Sequence, residues 1–159
     1  MDAIVLLKED HKEVEKQFKL FEKAHKDGAT PAAKKKIVDE CIRLLTTHAY
    51  IEETLFYPKA REAVPQTEEH VLESVEEHHV VAWMLAELQN TEPSDERYDA
   101  KMTVLMENVR HHVQEEEEEW FPEVRKAMGR KALQDLGEEM DAAKPNAPAD
   151  PLALSSAKA

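Results

Sequence analysis

Two stretches of this chain repeat one pattern, and that pattern restricts the fold more than any other feature. THAYIEETLFYP ends at Pro58 and HHVQEEEEEWFP ends at Pro122. Aligned on their prolines, 64 residues apart, His48 falls on His112, Glu52 on Glu116, Glu53 on Glu117, and Phe56-Tyr57 on Trp120-Phe121. The stretches ahead of them align at an offset of 67, placing Asp10-His11 on Glu77-His78, Val14 on Val81 and Phe18 on Leu85. The chain therefore reads as two helix pairs related by an approximate twofold. Each pair offers a His on its first helix and His-x-x-x-Glu on its second.

Helical spacing and punctuation place four long helices. Ile4, Leu7, His11, Val14, Phe18 and Phe21 recur at helical intervals over about residues 2–26. Asp27-Gly28-Ala29 breaks that run, and Thr30-Pro31 opens a second helix to about Glu62. Val64–Thr67 turns the chain into a third helix ending near Gln89, with Thr67 as its expected cap and Glu68 and Glu69 in its first turn. Asn90–Ser94 ends that helix and caps a fourth, which Gly129 closes after Met128. Short connections predict an all-α, up-down-up-down antiparallel four-helix bundle over residues 1–128. Within 129–159, a short amphipathic helix is expected at 130–140, with Leu133, Leu136 and Met140, and a disordered Pro/Ala/Ser-rich tail over 142–159. Pro58 and Pro122 fall late in helices, where each is expected to loosen a turn.

Net charge, −13, argues against nucleic acid and anionic membranes as partners. No apolar run reaches the roughly 18 residues of a membrane span. The opening MDAIVLLKEDHK lacks the basic start of a signal peptide. Cys41 is the single cysteine, so neither an intrachain disulfide nor a thiolate cluster can form, and a cytoplasmic location is expected.

Residues four apart share a helix face, so His48 with Glu52 and His112 with Glu116 can serve one site. His11 and His78 lie among apolar core positions, where an unpaired imidazole is costly. The candidate metal ligands are therefore His11, His48, Glu52, His78, His112 and Glu116. Imidazole and carboxylate without thiolate suit iron ahead of manganese and zinc. Two six-coordinate metals present about twelve positions; these ligands, with both carboxylates bridging, fill about eight, and an oxo or hydroxo bridge about two more. About one open place per metal then faces a small ligand. Glu53, Glu115, Glu117, Glu118 and Glu119 read as a solvated face, His79 and His111 as off-phase, and His25 as exposed. Trp83, Met84, Met102, Met106 and Trp120 are expected in the core.

The DH at 10–11, HxxxEE to FYP at 48–58, EH at 77–78 and HxxxEE to FP at 112–122 resemble the hemerythrin-like (HHE cation-binding) family over about residues 5–125. The resemblance implies a left-twisted four-helix bundle holding two iron ions in a non-haem, oxo- or hydroxo-bridged centre. Its members bind dioxygen, sense oxygen or iron, take up nitric oxide or decompose peroxide. Oxygen carriers have a further histidine one turn before the place of His78, where this chain has Ser74. Glu73, Glu77, Tyr50 and Tyr57 are candidates to replace it. Carriers also use a shorter acid five residues on, where this chain has Glu116 four residues after His112. The expected function is a di-iron protein that binds or reacts with dioxygen, peroxide or nitric oxide. Catalase-like peroxide decomposition and an iron- or oxygen-responsive regulatory module are the alternatives.

Overall fold

A computed structural model describes residues 1–154, and these fold as an all-α bundle. Helix α1 (Ala3–Lys26) begins where Asp2 accepts the Val5 N–H at 2.9 Å, and its last turn carries Lys23, His25 and Lys26 against the helix dipole. Helix α2 (Pro31–Ile51) starts at Thr30, whose hydroxyl accepts the Ala33 N–H, with Pro31 in the first turn. A π turn (Glu52–Phe56) carries α2 into α3 (Tyr57–Ala63). Helix α4 (Glu68–Gln89) follows, then α5 (Tyr98–Glu115), a second π turn (Glu116–Trp120) and α6 (Phe121–Ala143).

The loosened turns expected ahead of the two prolines are these π turns. Pro58 and Pro122 have no N–H for the carbonyls of Thr54 and Glu118, four residues back. The wider turn absorbs the defect, with the N–H of Tyr57 on the Glu52 carbonyl and that of Phe121 on the Glu116 carbonyl. Each π turn begins on a candidate carboxylate.

Two expected caps differ. The Thr67 hydroxyl donates backwards to the Val64 carbonyl at 2.7 Å instead of capping α4. The fourth rod starts at Tyr98, not at Ser94, because turns through 92–97 intervene and Asp95 takes the Arg97 N–H at 2.8 Å.

The core divides into two apolar clusters. Ile4, Leu7, Ile51, Phe56, Trp120 and Phe121 belong to one; Val14, Phe18, Cys41, Leu85 and Met102 belong to the other. Between them along the helices lie the buried His11, His48, His78, His112, Glu52 and Glu116. Trp120, Met84, Met102 and Met106 are core residues as expected, but Trp83 is 60% exposed, because its position on α4 faces outward with Val80 and Leu72.

Gly129 adopts φ 79° and bends α6 so that its second half packs across the end of the bundle. Leu133, Leu136 and Met140 join the cluster around Ile4. At Gly137 the crossing is so close that a Cβ would lie 2.1 Å from the Met1 carbonyl oxygen. Gly137→Ala is therefore expected to destabilise the fold by about 1–3 kcal/mol, as overpacking does. Urea unfolding measures it, and an unchanged midpoint would contradict the contact.

The structure also differs from the expectation of disorder over 142–154. A 3₁₀ turn (Lys144–Asn146) follows α6, Lys144 pairs with Asp10 at 2.7 Å, and Pro151 is buried. Apolar contact and an ion pair seat a segment whose composition alone favours disorder. The expectation for 155–159 lies outside the described residues. No described helix is long and apolar enough to cross a membrane.

Candidate metal centre

All six candidate residues converge. His11 comes from α1, His48 from α2, Glu52 from the first π turn, His78 from α4, His112 from α5 and Glu116 from the second π turn. Their ligand atoms form two groups, His11–His48–Glu116 and Glu52–His78–His112, each with all atoms within 4.8 Å of one another. The carboxylates cross between groups. Glu52 Oε1 lies 3.1 Å from His48 Nε2 and 3.3 Å from His78 Nε2. Glu116 Oε1 lies 3.4 Å from His11 Nε2, and its Oε2 lies 3.1 Å from His112 Nε2.

These groups are close without pairing well. With each imidazole neutral and its proton on Nδ1, His11 Nε2, His48 Nε2, both Glu52 carboxylate oxygens and Glu116 Oε1 face one another as buried acceptors with no hydrogen-bond donor between them. Burying such atoms unpaired is costly. Lone pairs turned toward a common centre are the arrangement a cation satisfies, so the donor set fits a metal.

The other ring nitrogen of each histidine is held by a carboxylate. His48 Nδ1 meets Asp10 at 3.0 Å, His78 Nδ1 meets Glu53 at 3.1 Å, His112 Nδ1 meets Glu77 at 3.2 Å, and His11 Nδ1 meets Glu117 at 2.6 Å. Each bond joins one rod to the next, and the fourth returns to α1, closing a ring around the bundle. An ionised carboxylate only accepts, so Nδ1 donates and Nε2 offers its lone pair inward once the imidazole is neutral. Glu53 and Glu117 are thus not the solvated face expected of them. The signal lay in the repeat: His11, Glu52, His78 and Glu116 each have an acid next to them in the motif, at Asp10, Glu53, Glu77 and Glu117. His25 and His111 are exposed, and His79 lies near the Glu76 carboxylate at 3.4 Å, outside the site.

Ser74 is fully buried where the resemblance marks a missing histidine. Among the four candidates to replace it, Tyr57 enters the site. Its hydroxyl donates to Glu116 at 2.9 Å and lies 3.1 Å from His78 Nε2 and 3.5 Å from His112 Nε2. The repeat partner of Tyr57 is Phe121, which stacks on His11 at 6.0 Å. One half of the site therefore carries a hydroxyl and the other a bare ring.

Without a metal, charge sets the protonation states. Burial opposes a charged His48, but the Glu52 and Asp10 carboxylates overcome it and raise the imidazole to about 10. Burial is likewise overcome at His112 by Glu116 and Glu77, to about 11. Burial favours a neutral Glu116, yet His112 and His11 hold its carboxyl well below the usual range. Burial and the Glu116 and Glu52 charges together keep the Tyr57 phenol protonated well above its ordinary value.

A four-helix bundle whose buried polar layer is two imidazole–carboxylate clusters defines a class, the cation-binding helical bundles. Within it, the chain belongs to the hemerythrin HHE cation binding domain family, whose model matches residues 2–124. The fold is similar to the crystal structure of a hemerythrin HHE cation binding domain-containing protein, an Rv2633c homolog from Mycobacterium kansasii. The TM-score is 0.75 at 23% identity, over 92% of this chain and 86% of that one. No curated protein matches the chain in sequence.

Proposed function

We propose that His11, His48, Glu52, His78, His112 and Glu116 hold two iron ions, and that this centre binds or reacts with dioxygen, peroxide or nitric oxide. The observation that carries this is the pair of clusters sharing two carboxylates, with unpaired buried donors turned inward. Bound iron supplies reversible redox chemistry and open positions for small ligands. The chain supplies the rest. Asp10, Glu53, Glu77 and Glu117 fix the imidazole orientations, and two apolar clusters flank the polar layer.

Tyr57 is the proposed oxygen donor in place of the missing third histidine, on the His78–His112 side. Its high phenol pKa keeps the proton on Tyr57 until a cation sits at the hydroxyl. Catalase-like peroxide decomposition is the enzymatic reading, because it asks only for the metals and access for a small molecule, and an oxygen donor at Tyr57 would tune it. Tyr57→Phe tests both. The variant is expected to keep its iron, lose a visible phenolate-to-iron absorption, and release oxygen from peroxide at least about tenfold more slowly. An unchanged visible spectrum would remove Tyr57 from the centre.

A further inference from the structure

A chamber of about 120 Å³ opens from the four histidines. Its floor is His11, His48, His78 and His112, and its walls include Val81, Leu85 and Val109. Its remaining wall is built by Pro151 and Leu154, which lie beyond the residues matched by the family model. An apolar cavity of about 150 Å³ holds benzene or xenon, so this one has room for a diatomic, a peroxide or a molecule of a few heavy atoms.

The segment that carries Pro151 and Leu154 is seated lightly. It leaves α6 at Lys144, whose ammonium pairs with Asp10, the same carboxylate that holds His48 Nδ1. It then crosses α2, where Ala147, Pro148 and Ala149 sit over a shallow hollow lined by Ile42 and Thr46. Among the described residues its other hydrogen bonds stay within the segment: Ala147 N–H to Lys144 O, Ala153 N–H to Asp150 O, and Leu152 N–H to Asp150 Oδ1. A segment held by one ion pair and a few small apolar contacts opens at lower free energy than the helices it covers.

We propose that residues 144–154 form a strap across the chamber, and that Pro151 and Leu154 set the size of molecule that reaches the histidines. This deepens the reading that small molecules enter the centre and rests on it for its purpose, though not for its test. The test is thiol access. Val81→Cys in a Cys41→Ala background places one reactive thiol in the chamber wall; Cys41 is fully buried and absent from the lining. Methyl methanethiosulfonate is the probe, with labelling followed by mass spectrometry on the protein as purified.

Truncation after Ala149 is expected to speed labelling at least about tenfold with the helical content unchanged, and Leu154→Ala to speed it severalfold. Leu154→Trp is expected to slow it. If truncation unfolds the chain, the two Leu154 variants decide. Equal labelling rates for folded full-length, Leu154→Ala and Leu154→Trp proteins would overturn the strap. Iron content of the same samples separates the two readings: bound iron with unresponsive labelling sinks the strap alone, whereas responsive labelling without iron sinks the di-iron reading alone.

Discussion

Replacing Glu116 with alanine is expected to remove the metal and weaken the fold together. Glu116 is fully buried and faces His11, His112 and Tyr57 at 3.4, 3.1 and 2.9 Å. Its two oxygens contact histidines of different clusters, so its loss leaves each proposed metal one donor short. In the metal-free protein the consequence is electrostatic. His112, raised to about 11 beside Glu116 and Glu77, loses its nearest inner counter-charge and keeps the outer Glu77 and the more remote Glu52. Removing one partner of a buried charged pair costs about 3–5 kcal/mol. Metal per chain is expected to fall to near zero, and the urea midpoint to drop. The exposed Glu119→Ala in the same π turn is expected to change stability by no more than about 0.5 kcal/mol. Retention of full metal by Glu116→Ala would exclude it as a ligand.

The second large effect is on pH. Burial and neighbouring carboxylates act oppositely on all four histidines, and the carboxylates win, raising each pKa. At neutral pH the metal-free site therefore carries protons on His48 and His112, one histidine in each cluster. Each metal displaces the proton of one of these imidazoles, so its affinity should rise by about tenfold per pH unit below those pKa values. The metal-free fold has the opposite sign. A raised folded-state pKa contributes stability that is complete below the unfolded value of about 6.5 and is lost as pH rises through about 10 at His48 and about 11 at His112. Zinc titration calorimetry in buffers of different ionisation enthalpy counts the released protons. Release of none at pH 7 would contradict the charged imidazoles.

The helices and the six candidate residues were legible because both repeats carry them at spacings that permit only one face. The role of the flanking acids was not. Glu53 and Glu117 sit in acidic runs, and a run of carboxylates looks like solvated surface until the π turns are known. An extra residue in the turn changes the helical phase, bringing Glu53 to His78 and Glu117 to His11. The same phase change brings Tyr57 into the site, which α-helical spacing alone did not distinguish from Tyr50, Glu73 or Glu77. Trp83 misled for a simpler reason: an apolar residue on a helix with apolar residues on more than one face has no readable direction. The strap was hidden because Pro and Ala composition carries no information about a docking site elsewhere in the chain.

Metal content after anaerobic loading with ferrous iron tests the central claim most directly. The full chain, and a His48→Ala/His112→Ala double variant, would be loaded, desalted and weighed by native mass spectrometry. Two irons retained by the full chain and none by the helical double variant is the predicted result. One iron or none in the full chain, or two in both proteins, would contradict a di-iron centre built from these six residues.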